Sequence, residues 1–364
     1  MCIYPTVVKN PKYKPNKKNG GNVPDLQDKR IGYVPVACGM CMQCMEQKAR
    51  EWRVRLLEEV KHQKLKGNFV TFTFSDEGYK ELVERAKKEI PGIKGYDLDN
   101  QVATIAVHKW RERWRKHNKK SPRHWFITEL GHGETEHLHL HGIVWTDMPE
   151  EIDKRWRYEQ VDKNKWKYGW CTLGDGKGRN YVNEETISYI TKYITKADFE
   201  HKYYKPKILT SPGIGKQFAE TFNAQRCKYK GEDTKTTYTT PQGYEINLNV
   251  YWRNKIYTEE EREKLWIAKL DKGEQWIYGE KIKADDSENR AKLLKYYQKV
   301  SERLGYGSPG NWEAKKYEEE RRGLYQNKRI IEKREEEEKE EKTPSVVKIG
   351  KIETGFQEPG LEDW

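Results

Sequence analysis

The most constraining feature of the sequence is a run in which histidine and leucine alternate between residues 137 and 141. Successive side chains of a β-strand point to opposite faces, so an alternation with a period of two predicts a strand. His137, His139 and His141 then share one face, while the two leucines point towards a core on the other. Two imidazoles that lie two residues apart can bind one divalent metal ion. The run therefore predicts a strand with a buried face and a metal-binding face.

An oxygen ligand for such a metal is predicted from the preceding strand-like segment, which a turn separates from the histidines. If the turn has an odd number of residues, Glu129 lies directly across from His139, whereas an even number would direct it away. Carboxylates are ligands that hard divalent cations prefer. Glu129 is therefore the predicted third ligand beside His139 and His141. The acids of the turn itself, Glu134 and Glu136, are expected to face solvent.

A helical pattern follows at residues 184–196. At about 100° per residue, its three isoleucines fall within about 60° of one another and form a stripe that would be buried. Tyr189 and Tyr193 are one turn apart and group with Lys192 and Lys196, away from the isoleucines. Core tyrosines would be expected beside the isoleucines, so this stripe of phenols and ammonium groups suggests nucleophilic chemistry. A lysine or a metal-bound phosphate would assist a phenol, whose ordinary pKa is about 10.

The composition favours a nucleic-acid partner. The 364 residues carry a net charge of +12, and 12% are aromatic, with 13 Trp and 23 Tyr. Basic side chains neutralise phosphates and flat rings stack on unpaired bases, a combination typical of proteins that bind single strands. No apolar run approaches the ~18 residues of a membrane span, and the N-terminus lacks a signal-peptide pattern, so we expect neither insertion nor secretion. The residues predicted to contact DNA are Lys196 and three from a basic helix at 100–120, namely Arg111, Arg115 and Lys116.

Four of the six cysteines predict a second metal site. Cys38, Cys41 and Cys44 follow one another at three-residue intervals, and Cys2 supplies a fourth thiol. In a chain without secretion signals, clustered cysteines favour metal over disulfides, and zinc prefers four ligands in a tetrahedron. We therefore predict a structural Zn²⁺ that holds the N-terminal arm. Reduced thiols without metal are the alternative, and an iron–sulfur cluster is less favoured.

The chain divides into four parts on composition and pattern. Residues 1–45 form a basic arm with the cysteine cluster, and residues 46–225 hold the strands and helices described above. Residues 226–330 contain a β-like stretch followed by charge-dense helical sequence. Residues 331–364 carry a run of Glu and Lys with few apolar residues and are predicted to form a charged flexible tail.

Together, these motifs resemble those of the HUH superfamily of single-strand DNA endonucleases. His139-Leu140-His141 resembles the paired-histidine element, and the helix with Tyr189 and Tyr193 resembles the Tyr-x-x-x-Tyr form of rolling-circle initiators. A narrower likeness, over about residues 1–220, is to the replication initiation proteins of gokushovirus-like Microviridae. The segments that carry it are residues 2–5, 38–44, 48–52, 69–76, 139–145 and 211–215.

The resemblance implies an α+β fold in which residues 46–225 form a central antiparallel β-sheet with flanking helices. The histidine strand would lie in the middle of this sheet, and a helical extension would follow. Mg²⁺ or Mn²⁺ would bind His139, His141 and Glu129.

The resemblance also implies a reaction. One of Tyr189 and Tyr193 would attack the scissile phosphate of a phage replication origin, giving a 5′-phosphotyrosine and a free 3′-OH primer. The second tyrosine would later allow the displaced strand to be religated, and Lys192 would be the nearest cationic helper. The partners would be single-stranded origin DNA and the host replication machinery in the host bacterial cytoplasm.

Two other functions fit parts of the sequence. The run at 137–141 also resembles the signature of histidine-triad nucleotide hydrolases, in which His139 would be the nucleophile. The length, the charge, Gly142 and the tyrosine pair argue against that class. A non-catalytic single-strand-binding protein with a structural zinc would show salt-sensitive binding without strand cleavage, and its tyrosine helix would be an ordinary surface.

Overall fold

The computed structural model describes residues 1–133, 135–157, 168–174 and 180–342. Its strands, in chain order, are β1 (Thr6–Lys9), β2 (Tyr33–Val36), β3 (Gly67–Thr73), β4 (Arg123–Leu130), β5 (Leu138–Trp145), β6 (Cys171–Leu173), β7 (Ile208–Thr210), β8 (Thr237–Thr239), β9 (Glu245–Asn247), β10 (Glu274–Ile277) and β11 (Glu280–Lys283). Its helices are α1 (Met42–His62), α2 (Asp76–Glu89), α3 (Gly95–Asn118), α4 (Pro149–Arg157), α5 (Glu184–Thr195), α6 (Phe222–Gln225), α7 (Val250–Ile256), α8 (Glu259–Asp271), α9 (Ser287–Arg303) and α10 (Trp312–Lys342).

A five-stranded antiparallel sheet forms the centre of the molecule, with the strand order β6-β3-β5-β4-β7. The histidine strand β5 lies in the middle and pairs with β3 on one side and with β4 on the other. Helices pack on both faces of the sheet. The predicted α+β fold, with a central antiparallel sheet and the histidine strand at its centre, is therefore confirmed.

The alternation of side chains along the strands separates two hydrophobic cores. On one face, α2, α3 and α4 cover residues such as Phe72 and Leu140, and the paired tryptophans of α3, Trp110 and Trp114, are buried there. On the other face, α1 and α5 cover the ends of β4 and β5 around Trp125. The histidines project on this second face, beyond the apolar contact with α5. Among the described residues, no helix is both long and apolar enough to span a bilayer.

Two predictions for the C-terminal part are wrong. The region predicted to be helical contains the hairpin β10–β11, because Tyr278 and Gly279 both adopt positive φ angles (45° and 91°) and close a tight turn between alternating strands. The predicted flexible tail does not begin at residue 331, because α10 continues to Lys342. Contacts of Arg329 and Lys333 with Asp76 hold this part of the helix against the domain. The remainder of the predicted tail, 343–364, lies outside the described residues.

Gly142 occupies the middle of the central strand for a steric reason. It pairs with Phe126 on β4, and the phenyl ring covers the position that a side chain would occupy. A Cβ atom there would clash with this ring and would lie 2.5 Å from the carbonyl oxygen of Trp125. Glycine at this position therefore allows the two longest strands of the sheet to pair without strain.

We expect Gly142→Ala to destabilise the protein by at least roughly 2 kcal/mol, because the methyl group overpacks a site that backbone atoms cannot vacate. The matched control is Gly323→Ala in α10, where a Cβ meets nothing within 4 Å. There the loss of backbone entropy in the unfolded chain favours alanine by roughly 0.5–1 kcal/mol. Urea denaturation measures both variants, and an unchanged midpoint for Gly142→Ala would contradict the packing described.

Candidate active site

The pairing of β4 with β5 brings the predicted acid to the histidines. Residues 131–137, an odd number, connect the strands, and Glu129 pairs directly with His139. On the same face, Nε2 of His141 lies 2.6 Å from the Glu129 carboxylate, and its Nδ1 lies 3.1 Å from the hydroxyl of Thr71 on β3. The predicted register and the approach of Glu129 to a histidine ring are both confirmed.

The Glu129 carboxylate also binds a lysine from the end of α5. One of its oxygens accepts a hydrogen bond from the Lys196 ammonium and the other from His141. Burial alone would raise the pKa of Glu129, but these two hydrogen bonds lower it below its ordinary value. The side chain of Lys192 is exposed instead. The structure thus reverses the predicted ranking of the two lysines, because the helix ends at Thr195 and directs the next residue back over the sheet.

The two tyrosines of α5 lie over this group. Ile187, Ile190 and Ile194 are fully buried against the sheet, which confirms the predicted division of the helix into two stripes. The ring of Tyr193 stacks on His141, with centroids 4.1 Å apart and planes inclined by 13°. The isoleucines therefore set the height and rotation at which the phenols meet the histidine strand.

Tyr189 and Tyr193 differ in their surroundings although their hydroxyl oxygens are only 2.9 Å apart. Tyr189 is 51% exposed and contacts the edge of Phe69, whereas Tyr193 is half-buried on His141. Burial, and then the hydrogen bond with Tyr189, raises the pKa of Tyr193 above its ordinary value. The phenol nearest to the histidines is thus a weak acid that needs assistance to act as a nucleophile.

His139 lies beside this group but at a greater separation. Its ring centroid is 6.3 Å from that of His141. Burial, and then the neighbouring His141, lowers the pKa of His139 to about 4, so its ring is neutral near pH 7. Across the described part of the chain, three sets of His, Cys, Asp or Glu have ligand atoms within 4.8 Å of one another, and Glu129, His139 and His141 are not among them. The structure therefore brings Glu129 to His141 more closely than to His139.

The third histidine of the strand, His137, faces different neighbours. Its ring is half-buried, and its pKa is lowered by burial first and then by the charge of Arg329, with an opposing effect of Asp76. These charges come from α10 and from the start of α2, on the side away from the tyrosine helix. His137 is therefore placed next to the group rather than within it.

The basic residues of α3 do not join the candidate site. Helix α3 packs on the opposite face of the sheet from α5. Arg115 and Lys116 are exposed near its C-terminal end, where they line a groove together with Arg85 and Tyr168. Arg111, on the same helix, is partly buried. Their contact with DNA stays a prediction, and any such contact would be separate from the tyrosines.

The sequence analysis missed a buried charged network under the turn between β4 and β5. Glu136 is fully buried, which corrects the expectation that this acid faces solvent; Glu134 lies outside the described residues. The Glu136 carboxylate lies 2.9 Å from Nε2 of His201, whose Nδ1 lies 2.9 Å from Asp198. Arg322 of α10 donates to the main-chain oxygen of Glu136 (3.0 Å) and pairs with Asp99. No local pattern indicates this network, since its members are distant in sequence.

The strained backbone of Glu136 explains why the network matters for the site. Its φ of 52° is in the left-handed region, which is unfavourable for a residue with a side chain. The residue directly precedes the histidine strand. The contacts with His201 and Arg322 hold it there, and so fix the point at which β5 begins.

The predicted zinc ligands come together elsewhere, at the N-terminal end of α1. The Sγ atoms of Cys2, Cys38, Cys41 and Cys44 all lie within 4.8 Å of one another. The other two cysteines, Cys171 and Cys227, are buried and free.

Comparison with known proteins agrees with the region in which this geometry lies. Residues 67–198, from β3 to two residues beyond Lys196, match a family model of replication-associated proteins that is described by the viral ORF2 protein. The chain is also similar to the replication-associated protein ORF2 of Spiroplasma virus 4. The two are 25% identical over 262 residues, which cover 66% of this chain and 77% of that protein. No solved structure matches the chain.

We expect stability to fall between pH 6.5 and 9.5 through His201. Burial alone would lower the pKa of this ring, but hydrogen bonds with Asp198 and Glu136 raise it to about 9, against 6.5 in the unfolded chain. The charged ring thus stabilises the fold fully below pH 6.5, and this contribution, on the order of 3 kcal/mol, is lost as the pH rises through 9.

Urea denaturation at pH 6.5 and 9.5 checks this expectation in wild type and in His201→Gln. The variant should lose the pH-dependent part, whereas His108→Gln, at an exposed position of α3, should keep it. An equal decline in wild type and His201→Gln would contradict the assignment.

Proposed function

We propose that the chain is a replication initiator that nicks and rejoins single-stranded DNA through Tyr189 and Tyr193. The observation that carries the proposal is the stacking of Tyr193 on His141, whose other ring edge binds Glu129. A nucleophile, a set of metal-ligand types and a lysine ammonium meet there on one face of the sheet. The similarity of residues 67–198 to replication-associated proteins supports a role in replication.

The residues that would hold Mg²⁺ or Mn²⁺ are Glu129, His139 and His141. Two imidazoles and a carboxylate suit these cations, with Mn²⁺ accepting the nitrogen ligands more readily. The Glu129 carboxylate already binds a cation, the ammonium of Lys196, which supports its suitability for a positive charge. When bound, the ion would polarise the scissile phosphate as a Lewis acid.

The protein's own residues account for the cleavage step. The hydroxyl oxygen of one tyrosine attacks the phosphorus, so that a Tyr O–P bond forms and the P–O3′ bond breaks. The phenol loses its proton to solvent, and the departing 3′ oxygen takes one up, which leaves a 3′-OH and a 5′-phosphotyrosine. Lys196 would stabilise the negative charge that grows on the phosphoryl oxygens. Lys192, exposed on the same helix, would contact the DNA backbone.

Two hydroxyls 2.9 Å apart allow cleavage and joining to alternate at one place. After one round of copying from the 3′-OH by the host replication machinery, the second tyrosine attacks the regenerated origin. The 3′-OH that this releases attacks the first phosphotyrosine, so that a P–O3′ bond forms, the Tyr O–P bond breaks and the displaced strand closes. The substrate would be single-stranded DNA of a phage origin, in the cytoplasm of the bacterial host.

We expect a covalent protein–DNA adduct that depends on the tyrosine pair. Wild type is incubated with Mn²⁺ and tiled single-stranded oligonucleotides that cover both strands of the DNA encoding the chain, and adducts are resolved on a denaturing gel. Tyr189→Phe and Tyr193→Phe should each retain an adduct on the remaining tyrosine or lose it in part. The double variant should form none, because no phenol then faces the site.

The control for this experiment is Tyr244→Phe, a substitution of a tyrosine that is 72% exposed and far from α5 in sequence. It should form the adduct as wild type does. A phosphohistidine adduct would favour a histidine-triad hydrolase. Strong DNA binding without any adduct would favour a non-catalytic binding protein, and either outcome would overturn the proposal.

We expect Glu129→Gln to lower the cleavage rate by about 100-fold, because the amide cannot replace the charge that holds a cation. Binding of the cleavable oligonucleotide, measured by fluorescence anisotropy in Ca²⁺, should change little. Glu288→Gln, at an exposed position of α9, is the matched control and should cleave as wild type does. Cleavage by Glu129→Gln at the wild-type rate would contradict the metal assignment.

A further inference from the structure

The cysteine cluster has the geometry of a site for one tetrahedral metal ion. Sγ of Cys2 lies 3.9 Å from that of Cys41, and Sγ of Cys38 lies 3.9 Å from that of Cys44. Zinc–thiolate bonds of about 2.3 Å place the sulfurs of a tetrahedral site about 3.8 Å apart. All four sulfurs thus stand at nearly the separation that a single Zn²⁺ requires.

Other uses of four cysteines fit this spacing less well. A disulfide needs sulfurs about 2.05 Å apart, and all four thiols are free. In an iron–sulfur cluster the cysteines bind different iron atoms, so their sulfurs stand farther apart than around one ion. Thiolates that bind a single zinc ion are the occupants that the spacing favours.

The local backbone is arranged to support thiolates. Gly39 adopts a φ of 74°, which lets the chain turn sharply between Cys38 and Cys41. Cys41 is the N-cap residue of α1, and Cys44 follows in its first turn, where the helix dipole favours negative charge. Main-chain N–H groups donate to the sulfurs: Tyr4 and Cys38 to Cys2, and Cys41 to Cys38, each at 3.4 Å.

The cluster also joins parts of the chain that are far apart in sequence. The first residues of a chain are usually poorly ordered unless something holds them. Here Ile3 is fully buried among Met42 of α1 and Ile277 of β10, and Gln298 of α9 donates to its main-chain oxygen at 2.7 Å. The N-terminus, the start of α1 and the C-terminal extension therefore converge around Cys2.

The same loop forms part of the wall of the candidate active site. Met40, between two of the cysteines, and Met45, just after the last one, line a cavity together with Glu129, Tyr193 and Lys196. Any ligand that fixes the cysteine loop thereby fixes this side of the cavity.

We infer that Cys2, Cys38, Cys41 and Cys44 bind one structural Zn²⁺. The ion ties the N-terminal residues to α1 and holds the loop that lines the cavity beside the tyrosines. Because the ligands are thiolates with no open position, the ion takes no part in the cleavage chemistry. The inference does not depend on the proposed nicking activity.

Elemental analysis of the purified full chain tests the site. We expect one zinc per chain in wild type and a loss of at least tenfold in Cys41→Ser. Cys171→Ser and Cys227→Ser, which remove the two cysteines outside the cluster, should retain the zinc. His139→Ala should retain it too, which separates this ion from any metal at the candidate active site.

A second measurement covers the case in which Cys41→Ser does not fold. Wild type is titrated with a mercurial thiol reagent in the presence of a zinc indicator, and one zinc should be released as the clustered thiols react. Replacement of zinc by Co²⁺ should give thiolate-to-cobalt charge-transfer bands. Wild type without zinc, zinc that persists in folded Cys41→Ser, or iron with sulfide in its place would overturn the inference.

Discussion

The pairing of β4 with β5 is the constraint on which the rest of the candidate site depends. Because side chains alternate along a strand, a shift of one residue in this register would turn Glu129 to the opposite face from the histidines. The turn between the strands is held by buried charges: Glu136, with its strained backbone, lies between His201 and Arg322. The C-terminal helix α10, although far from the tyrosines in sequence, thereby helps to fix where the histidine strand begins.

A second layer of the site comes from the docking of α5 on the same face. Three buried isoleucines fix the helix, so that Tyr193 stacks on His141 and the hydroxyl of Tyr189 reaches that of Tyr193. The end of the helix then directs Lys196 to the carboxylate of Glu129. Apolar contacts thus position the polar groups, and the resulting cluster brings phenols, imidazoles, a carboxylate and an ammonium group together at one edge of the sheet.

Periodicity predicted the parts of the structure that local sequence determines. The His-Leu alternation predicted β5 and its buried face, the odd turn predicted the approach of Glu129, and the isoleucine stripe predicted which side of α5 faces the sheet. Tertiary contacts account for what was missed. Lys196 rather than Lys192 meets Glu129 because the helix ends there, and Glu136 is buried because His201 and Arg322 neutralise it. Neither depends on a pattern of neighbouring residues.

The most direct test of the account is to locate Mn²⁺ in crystals of the protein by its anomalous scattering. The account predicts a peak bounded by Glu129, His139 and His141, next to the hydroxyls of the tyrosine pair. A peak at the neighbouring cluster of His132, Asp198 and His201, with none beside Glu129, would contradict it. That result would mean that the tyrosines and the metal do not share one site.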